Sequence, residues 1–158
     1  ILKGKGSAPF DDEGVLTRKR KVVKNGVVQG YFLSSYSARK LGMKTTGHAG
    51  GSQNLVLRSR LTDPKDNLKA MLKKLHCGLF VTELMGQGVN YVTGDYSRGA
   101  AGYWVENGKI VFPVEEITIA GHLGHMFQQI VAIGADEYTY GSKTVGSILI
   151  ENMKIAGH

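Results

Sequence analysis

Residues 78–108 read GLFVTELMGQGVNYVTGDYSRGAAGYWVENG. Two apolar runs, LFVTEL and GYWVEN, flank a middle crowded with glycine, and the stretch closes on Asn107-Gly108. Asn-Gly is the preferred pair for a type I′ turn, in which both central residues take positive φ. The pattern predicts a hairpin with one strand near 101–106 and a second near 109–112. Pro113 ends or edges that second strand, because it cannot donate to a ladder. The glycines between the strands then read as bulges and close backbone approaches.

The same device occurs upstream. In TRKRKVVKNGVVQGYFLSSY, residues 17–36, Asn25-Gly26 separates two runs rich in valine and aromatics, which predicts strands near 17–24 and 27–35. The segment TDPKDNLKAMLKKLHCG, 62–78, predicts a helix with Asp63 as N-cap, Pro64 at the first helical position and Gly78 past its end. Leu68, Met71, Leu72 and Leu75 give it one apolar stripe. A second helix is predicted over Leu123–Ile133 from the spacing of Leu123, Phe127, Ile130 and Val131, closed by Gly134. GSILIENMKIA, 146–156, reads as further strand. The expected class is α+β: predominantly antiparallel β, a curved or barrel-like sheet with Asn-Gly hairpins and about two packed helices.

The 158 residues suffice for one substantial core. Twenty-two glycines weigh against a helix bundle. No apolar run reaches the ~20 residues of a membrane span. One cysteine, Cys77, excludes an internal disulfide and makes a cytoplasmic location the simplest expectation. The chain opens on Ile1, which leads to the expectation of a fragment of a longer protein. The net charge of +7 is uneven: residues 1–74 hold 16 Lys+Arg against 5 Asp+Glu, and residues 75–158 hold 4 against 8. Arg18, Lys19, Arg20, Lys21 and Lys24 either line a solvated strand or contact an acidic partner.

Chemical motifs fail one after another. Gly86-Gln87-Gly88-Val89-Asn90-Tyr91 lacks the third glycine and the helix of a dinucleotide site, and no Gly-Lys-Ser/Thr opens a helix. Ser37-Ala38-Arg39-Lys40 matches Ser-x-x-Lys without its companion elements. His122 and His125 are three apart and could face one ion, but a third ligand is missing; His76-Cys77 point to different sides of a helix end. No catalytic or metal-binding residue is therefore assigned. Asp95 and Arg98, with Glu83 upstream, remain open between two readings. They form a turn and an ion pair, or they line a groove where glycines let an extended peptide approach the backbone.

Taken together, SAPFDDEG (7–14), SYSARKLGMKTTGHAGG (35–51), residues 78–108, PVEEITIAG (113–121) and MKIAG (153–157) resemble the C-terminal domain of the PmbA (TldE) branch of the TldD/PmbA family. The resemblance spans essentially the whole chain. It implies that residues 1–158 are part of that C-terminal domain, with the N-terminal domain absent from this chain. It further implies a subunit of the oligomeric TldD/TldE zinc metalloprotease, a gyrase-modulator family that degrades unfolded peptides and matures small modified ones. The zinc of that family sits in a TldD-like partner on a His-Glu-x-x-x-His helix, and no His-Glu pair occurs in these residues.

Three functions follow for testing. The first is a non-catalytic PmbA/TldE-like subunit that helps hold an extended peptide, with Glu83, Asp95 and Arg98 as groove candidates. The second is a module that binds nucleic acid or an acidic protein through the basic first half. The third is an independent hydrolase using Ser37 and Lys40.

Overall fold

The computed structural model describes residues 4–157. In chain order these form β1 (Val23–Lys24), β2 (Val27–Val28), α1 (Ser35–Lys40), β3 (Leu55–Val56), α2 (Leu68–Leu75), β4 (Gly78–Met85), β5 (Asp95–Glu106) and β6 (Lys109–His122). There follow α3 (Leu123–Gln128), β7 (Ile130–Ile133), β8 (Tyr138–Tyr140), β9 (Lys143–Val145), β10 (Ile148–Ile150) and β11 (Lys154–Ala156). The class is α+β with mostly antiparallel pairing; β3 and β9 are the one parallel pair among the described residues. The described sheets are open, with strand orders β1-β2, β10-β7, β11-β6-β5-β4 and β3-β9-β8. Two compact units result, residues 1–56 with 139–144, and residues 57–138 with 145–158.

In the first unit both Asn25 (φ 54°) and Gly26 (φ 78°) take positive φ, as the type I′ turn requires. The strands it joins are only two residues each and fully exposed, much shorter than the hydrophobic runs predicted. With nothing covering either face, the valines have no core to extend the ladder against. Asp11 organises the neighbouring loops. Its buried carboxylate accepts the backbone N–H groups of Glu13 (3.0 Å), Val15 (2.9 Å) and Ala49 (2.9 Å). Burial pushes this carboxyl up, but those three N–H groups and the nearby His48 outweigh it and leave it below its ordinary value. Glu13 reaches further and caps α1 through the Ser35 N–H at 2.7 Å.

The second unit is built on β6-β5-β4. Asn107 (φ 51°) and Gly108 (φ 72°) make the second type I′ turn, which docks on α2 through the Gly108 N–H to the His76 carbonyl, 2.8 Å. Its core is Ala100, Ile117 and Ile119, joined by Leu79, Val81, Tyr96, Val114 and Met153. At Gly102 a Cβ would fall inside the Phe80 carbonyl, so no other residue fits there without displacing β4.

Two helix readings are corrected, and the reading of Pro113 is decided between its alternatives. α2 begins at Leu68 under the N-cap Asn67, not at Asp63. The Asp63 carboxylate takes the Lys65 N–H at 2.8 Å, and Asp66 reaches back to the Asp63 N–H and across to Lys74 at 2.6 Å. These local bonds hold 63–66 in a turn and delay the helix. α3 stops at Gln128, because the β-branched run Ile130–Ile133 pairs with β10 as a strand instead. Of the two alternatives for Pro113 it edges the strand and does not end it: β6 runs on to His122, past the 112 expected, and β11 covers only Thr118–Ala120.

Two outcomes are expected. Gly102→Ala lowers stability by roughly 2 kcal/mol in urea titration, through forced separation of β4 and β5. The stabilisation from Asp11 is fully present above pH 3.8, the ordinary value, and is lost as pH falls below it through the lowered folded value. Asp11→Asn therefore differs from the parent protein in thermal stability at pH 7, and the difference shrinks in scans below pH 3.8.

Candidate functional site

The glycine-rich stretch 86–94 is the loop joining β4 to β5; Gly86 turns the chain at φ 72°, and Gly88 and Gly94 allow close packing. A Cβ on Gly88 would overlap the Ser97 carbonyl oxygen, and the Ser97 N–H returns to the Gly88 carbonyl at 2.6 Å. Val89 bridges Tyr96. Asn90 then closes the turn, its side-chain oxygen accepting from Val92 (2.9 Å) and Thr93 (3.2 Å), while its N–H donates to the Asp95 carbonyl at 2.8 Å. The tip stands furthest into solvent: Tyr91 is 87% and Val92 96% exposed. The N–H groups of Asn90, Val92, Thr93 and Gly94 are spent within the loop.

His122 locks this loop to α3. Its Nδ1 accepts from the Gly124 N–H at 3.2 Å as the helix N-cap, so Nε2 carries the proton and donates to the Thr93 carbonyl at 3.0 Å. The His125 ring lies 5.1 Å away. With both ring nitrogens engaged, His122 has no lone pair for a metal, and among the described residues no three His, Cys, Asp or Glu side chains come together around an ion site. The donors present do not fit zinc.

The three groove candidates are not brought to one point. Arg98 pairs with Ile119 and shares the core face, its guanidinium donating to the carbonyls of Leu84 (3.2 Å) and Met85 (3.4 Å). Asp95 pairs with His122 on the opposite face and accepts the Thr93 hydroxyl at 2.6 Å. Glu83 sits across from Ala101 on the same face as Asp95, about 20 Å along the ladder, at roughly 3.3 Å for each of six residues. Arg98 ties down backbone carbonyls in place of the expected carboxylate. Glu83 is exposed and has no hydrogen-bond partner among the described residues.

The Ser-x-x-Lys match dissolves into capping. Ser37 exchanges bonds with Ser34 in a capping box at the start of α1, and the Lys40 ammonium lies over the Tyr36 ring at 5.5 Å. Two features escaped sequence reasoning. One is the clamp of Asp11 and Glu13, whose signal was the run Asp11-Asp12-Glu13-Gly14, a turn composition with excess carboxylates. The other is Glu116, held at φ 56° where Glu115-Glu116 stand opposite Ala101 in a bulge of β6; nothing in PVEEIT marks it.

Comparison with known proteins places this geometry. Residues 1–157 match the family model of the PmbA/TldA metallopeptidase C-terminal domain. The chain is 54% identical to a metalloprotease PmbA of Escherichia coli O157:H7, over 99% of its own length and 34% of the relative. It is 51% identical to a PmbA homologue of Haemophilus influenzae, over 100% and 34%. It thus spans about a third of the curated relatives it matches. Among solved structures, a DNA gyrase modulator from Thermotoga maritima superposes with a TM-score of 0.84 at 36% identity, covering 99% of this chain and 37% of that one. TldE from Thermococcus kodakarensis gives 0.78 at 25%, covering 95% and 36%.

Gly88→Ala is expected to break the Gly88–Ser97 bridge while the core survives. Hydrogen exchange at the Ser97 amide then speeds at least about tenfold, with little change at Ile117 and Ile119.

Proposed function

Since the chain belongs to the PmbA/TldA metallopeptidase family, through its C-terminal domain, we propose that it is part of a non-catalytic PmbA/TldE-like subunit. In this reading it holds an extended peptide for a zinc-bearing TldD-like partner in a cytoplasmic assembly. Relatives named TldD homologues match the chain at 28% and 29% identity, which supports a partner of the same fold. Among the described residues no helix is long and apolar enough to cross a membrane.

One observation carries the reading. β4 is eight residues long, lies at the end of the order β11-β6-β5-β4, and pairs on one side only among the described residues. Such an edge offers backbone donors and acceptors to any extended chain, whatever its sequence. That is the recognition required for unfolded or modified peptides. Glu83, exposed on this strand, presents a carboxylate to a peptide amine or a basic side chain; Arg98 holds the Leu84 and Met85 carbonyls in place as a positioning residue. Asp95 keeps the loop end ordered through Thr93. No step is assigned to zinc here, since among the described residues no three metal-ligating side chains come together.

A second reading has its own support. Arg18, Lys19, Lys21 and Lys24 are exposed on or beside the β1–β2 hairpin, where they could meet nucleic acid or an acidic protein. Duplex DNA binding that falls steeply with salt would favour it.

For the leading reading, Glu83→Lys in the complete subunit with its TldD-like partner should raise KM for an unstructured peptide several-fold. The value of kcat should change little, because the residue binds substrate and does not touch the reacting atoms. Stoichiometric zinc on the complete subunit alone, with peptidase activity and no partner present, would falsify the non-catalytic assignment.

A further inference from the structure

We propose that Asn25 is a site of covalent self-modification by deamidation: the Gly26 backbone nitrogen closes a succinimide on the Asn25 side chain, and hydrolysis leaves aspartate or isoaspartate. The hairpin that carries it belongs to the first compact unit, whereas the β4 edge read as a peptide site belongs to the second.

The chain holds two Asn-Gly pairs, Asn25-Gly26 and Asn107-Gly108, and the same chemistry is open to both. Glycine favours it because no Cβ hinders its nitrogen from approaching the preceding side chain. The Gly26 N–H loses its proton to solvent base, the nitrogen bonds to Asn25 Cγ, and the Cγ–Nδ2 bond breaks with release of ammonia. Water then opens the ring at either carbonyl, so one water is consumed for each ammonia released. Attack at Cγ leaves aspartate, and attack at the main-chain carbonyl leaves isoaspartate.

Three observations separate the two pairs. The nucleophile differs first: the exposed Gly26 N–H has no hydrogen-bond partner among the described residues, whereas the Gly108 N–H donates to the His76 carbonyl at 2.8 Å. The second difference lies in what must open. Ring closure rotates the asparagine main chain out of its type I′ geometry. β1 and β2 are two exposed residues each, so little resists that rotation at Asn25. The turn at 107–108 joins strands of twelve and fourteen residues, and a Cβ on Gly108 would stand 2.9 Å from the Lys73 Cα of α2. The third difference is charge. Arg18, Lys19, Lys21 and Lys24, exposed on or beside the first hairpin, stabilise the amide anion and the oxyanion that forms as the nitrogen adds. Glu106 and Lys109 flank the second pair and offset each other.

Either product sets a carboxylate beside Lys24 and lowers the charge of this basic face by one. Isoaspartate also adds a main-chain carbon, which a two-residue type I′ turn cannot hold.

The complete subunit, kept folded in mildly alkaline buffer and mapped by peptide mass spectrometry, should convert Asn25 at least about tenfold faster than Asn107. The product should leave a cation-exchange column early. Asn25→Gln, whose longer side chain closes its ring far more slowly, should remove that species while circular dichroism stays that of the parent. In urea, where both turns are open, the two rates should converge. Conversion at Asn107 as fast as at Asn25 in the folded subunit, a ratio unchanged by urea, or no conversion at Asn25 overturns the proposal.

Discussion

The sheet that carries the site depends on how three strands meet at Ala101 and Gly102. β4 places an extra residue, Thr82, beside this pair, and β6 places two, Glu115 and Glu116, opposite Ala101. Both neighbours of β5 therefore shift register at one level. A slip of one residue without compensation would turn every following side chain to the wrong face. The paired bulges avoid that: Leu79, Val81, Ala100, Val114 and Ile117 stay on one side and close a single core. Gly102 leaves the space, and Glu116 absorbs the excess backbone at positive φ, at a strain of roughly 1 kcal/mol. Past this point the register fixes where β4 ends, and so where Gly88 meets Ser97.

Much of this was legible because the signals were local. Asn25-Gly26 and Asn107-Gly108 fix their own φ values, so both turns could be read from two residues each, and the expected close backbone approaches occur at Gly88 and Gly102. Failures came where local preference met a competitor. Asp63-Pro64 has the composition of a helix start, but Asp66 found a tertiary partner in Lys74 and the turn won. Ile130–Ile133 has helical spacing with Leu123 and Phe127, yet its β-branched residues had β10 to pair with, a strand fifteen or more residues away. The hairpin near 17–35 failed in length because strand formation needs a face to bury, which no run of valines reveals by itself.

The site divided along the same line. Sequence could point to charged residues between glycines, but not to the faces they occupy. Arg98 and Asp95 are three residues apart, and odd spacing in a strand sends them to opposite sides. The carboxylates then have two fates. Asp11, Asp66 and Glu137 are held below their ordinary values: Asp11 by backbone N–H groups against the effect of burial, Asp66 by Lys74 and Glu137 by Arg58. Asp11 and Glu137 join segments distant in sequence, and Asp66 ties the turn at 63–66 to Lys74 of α2. Glu83 has no such commitment, and an uncommitted carboxylate on an edge strand is available to something outside the chain.

The two open edges of the central sheet differ in what they can discriminate. β4 offers eight residues of backbone with Glu83 as its one charge, so its specificity for sequence is low and its affinity rests on repeated ladder bonds. The edge at 109–116 is interrupted by Pro113 and by bulges at Val111 and at Glu115–Glu116, which makes it a poor template for an arbitrary strand. A strand laid against 109–116 would meet a missing donor at Pro113 and a ladder out of step at Val111 and at Glu115–Glu116, whereas β4 is displaced at Thr82 alone. Backbone recognition of a chain whose sequence varies therefore suits β4, and β5 with the inner side of β6 holds the core that separates the two edges.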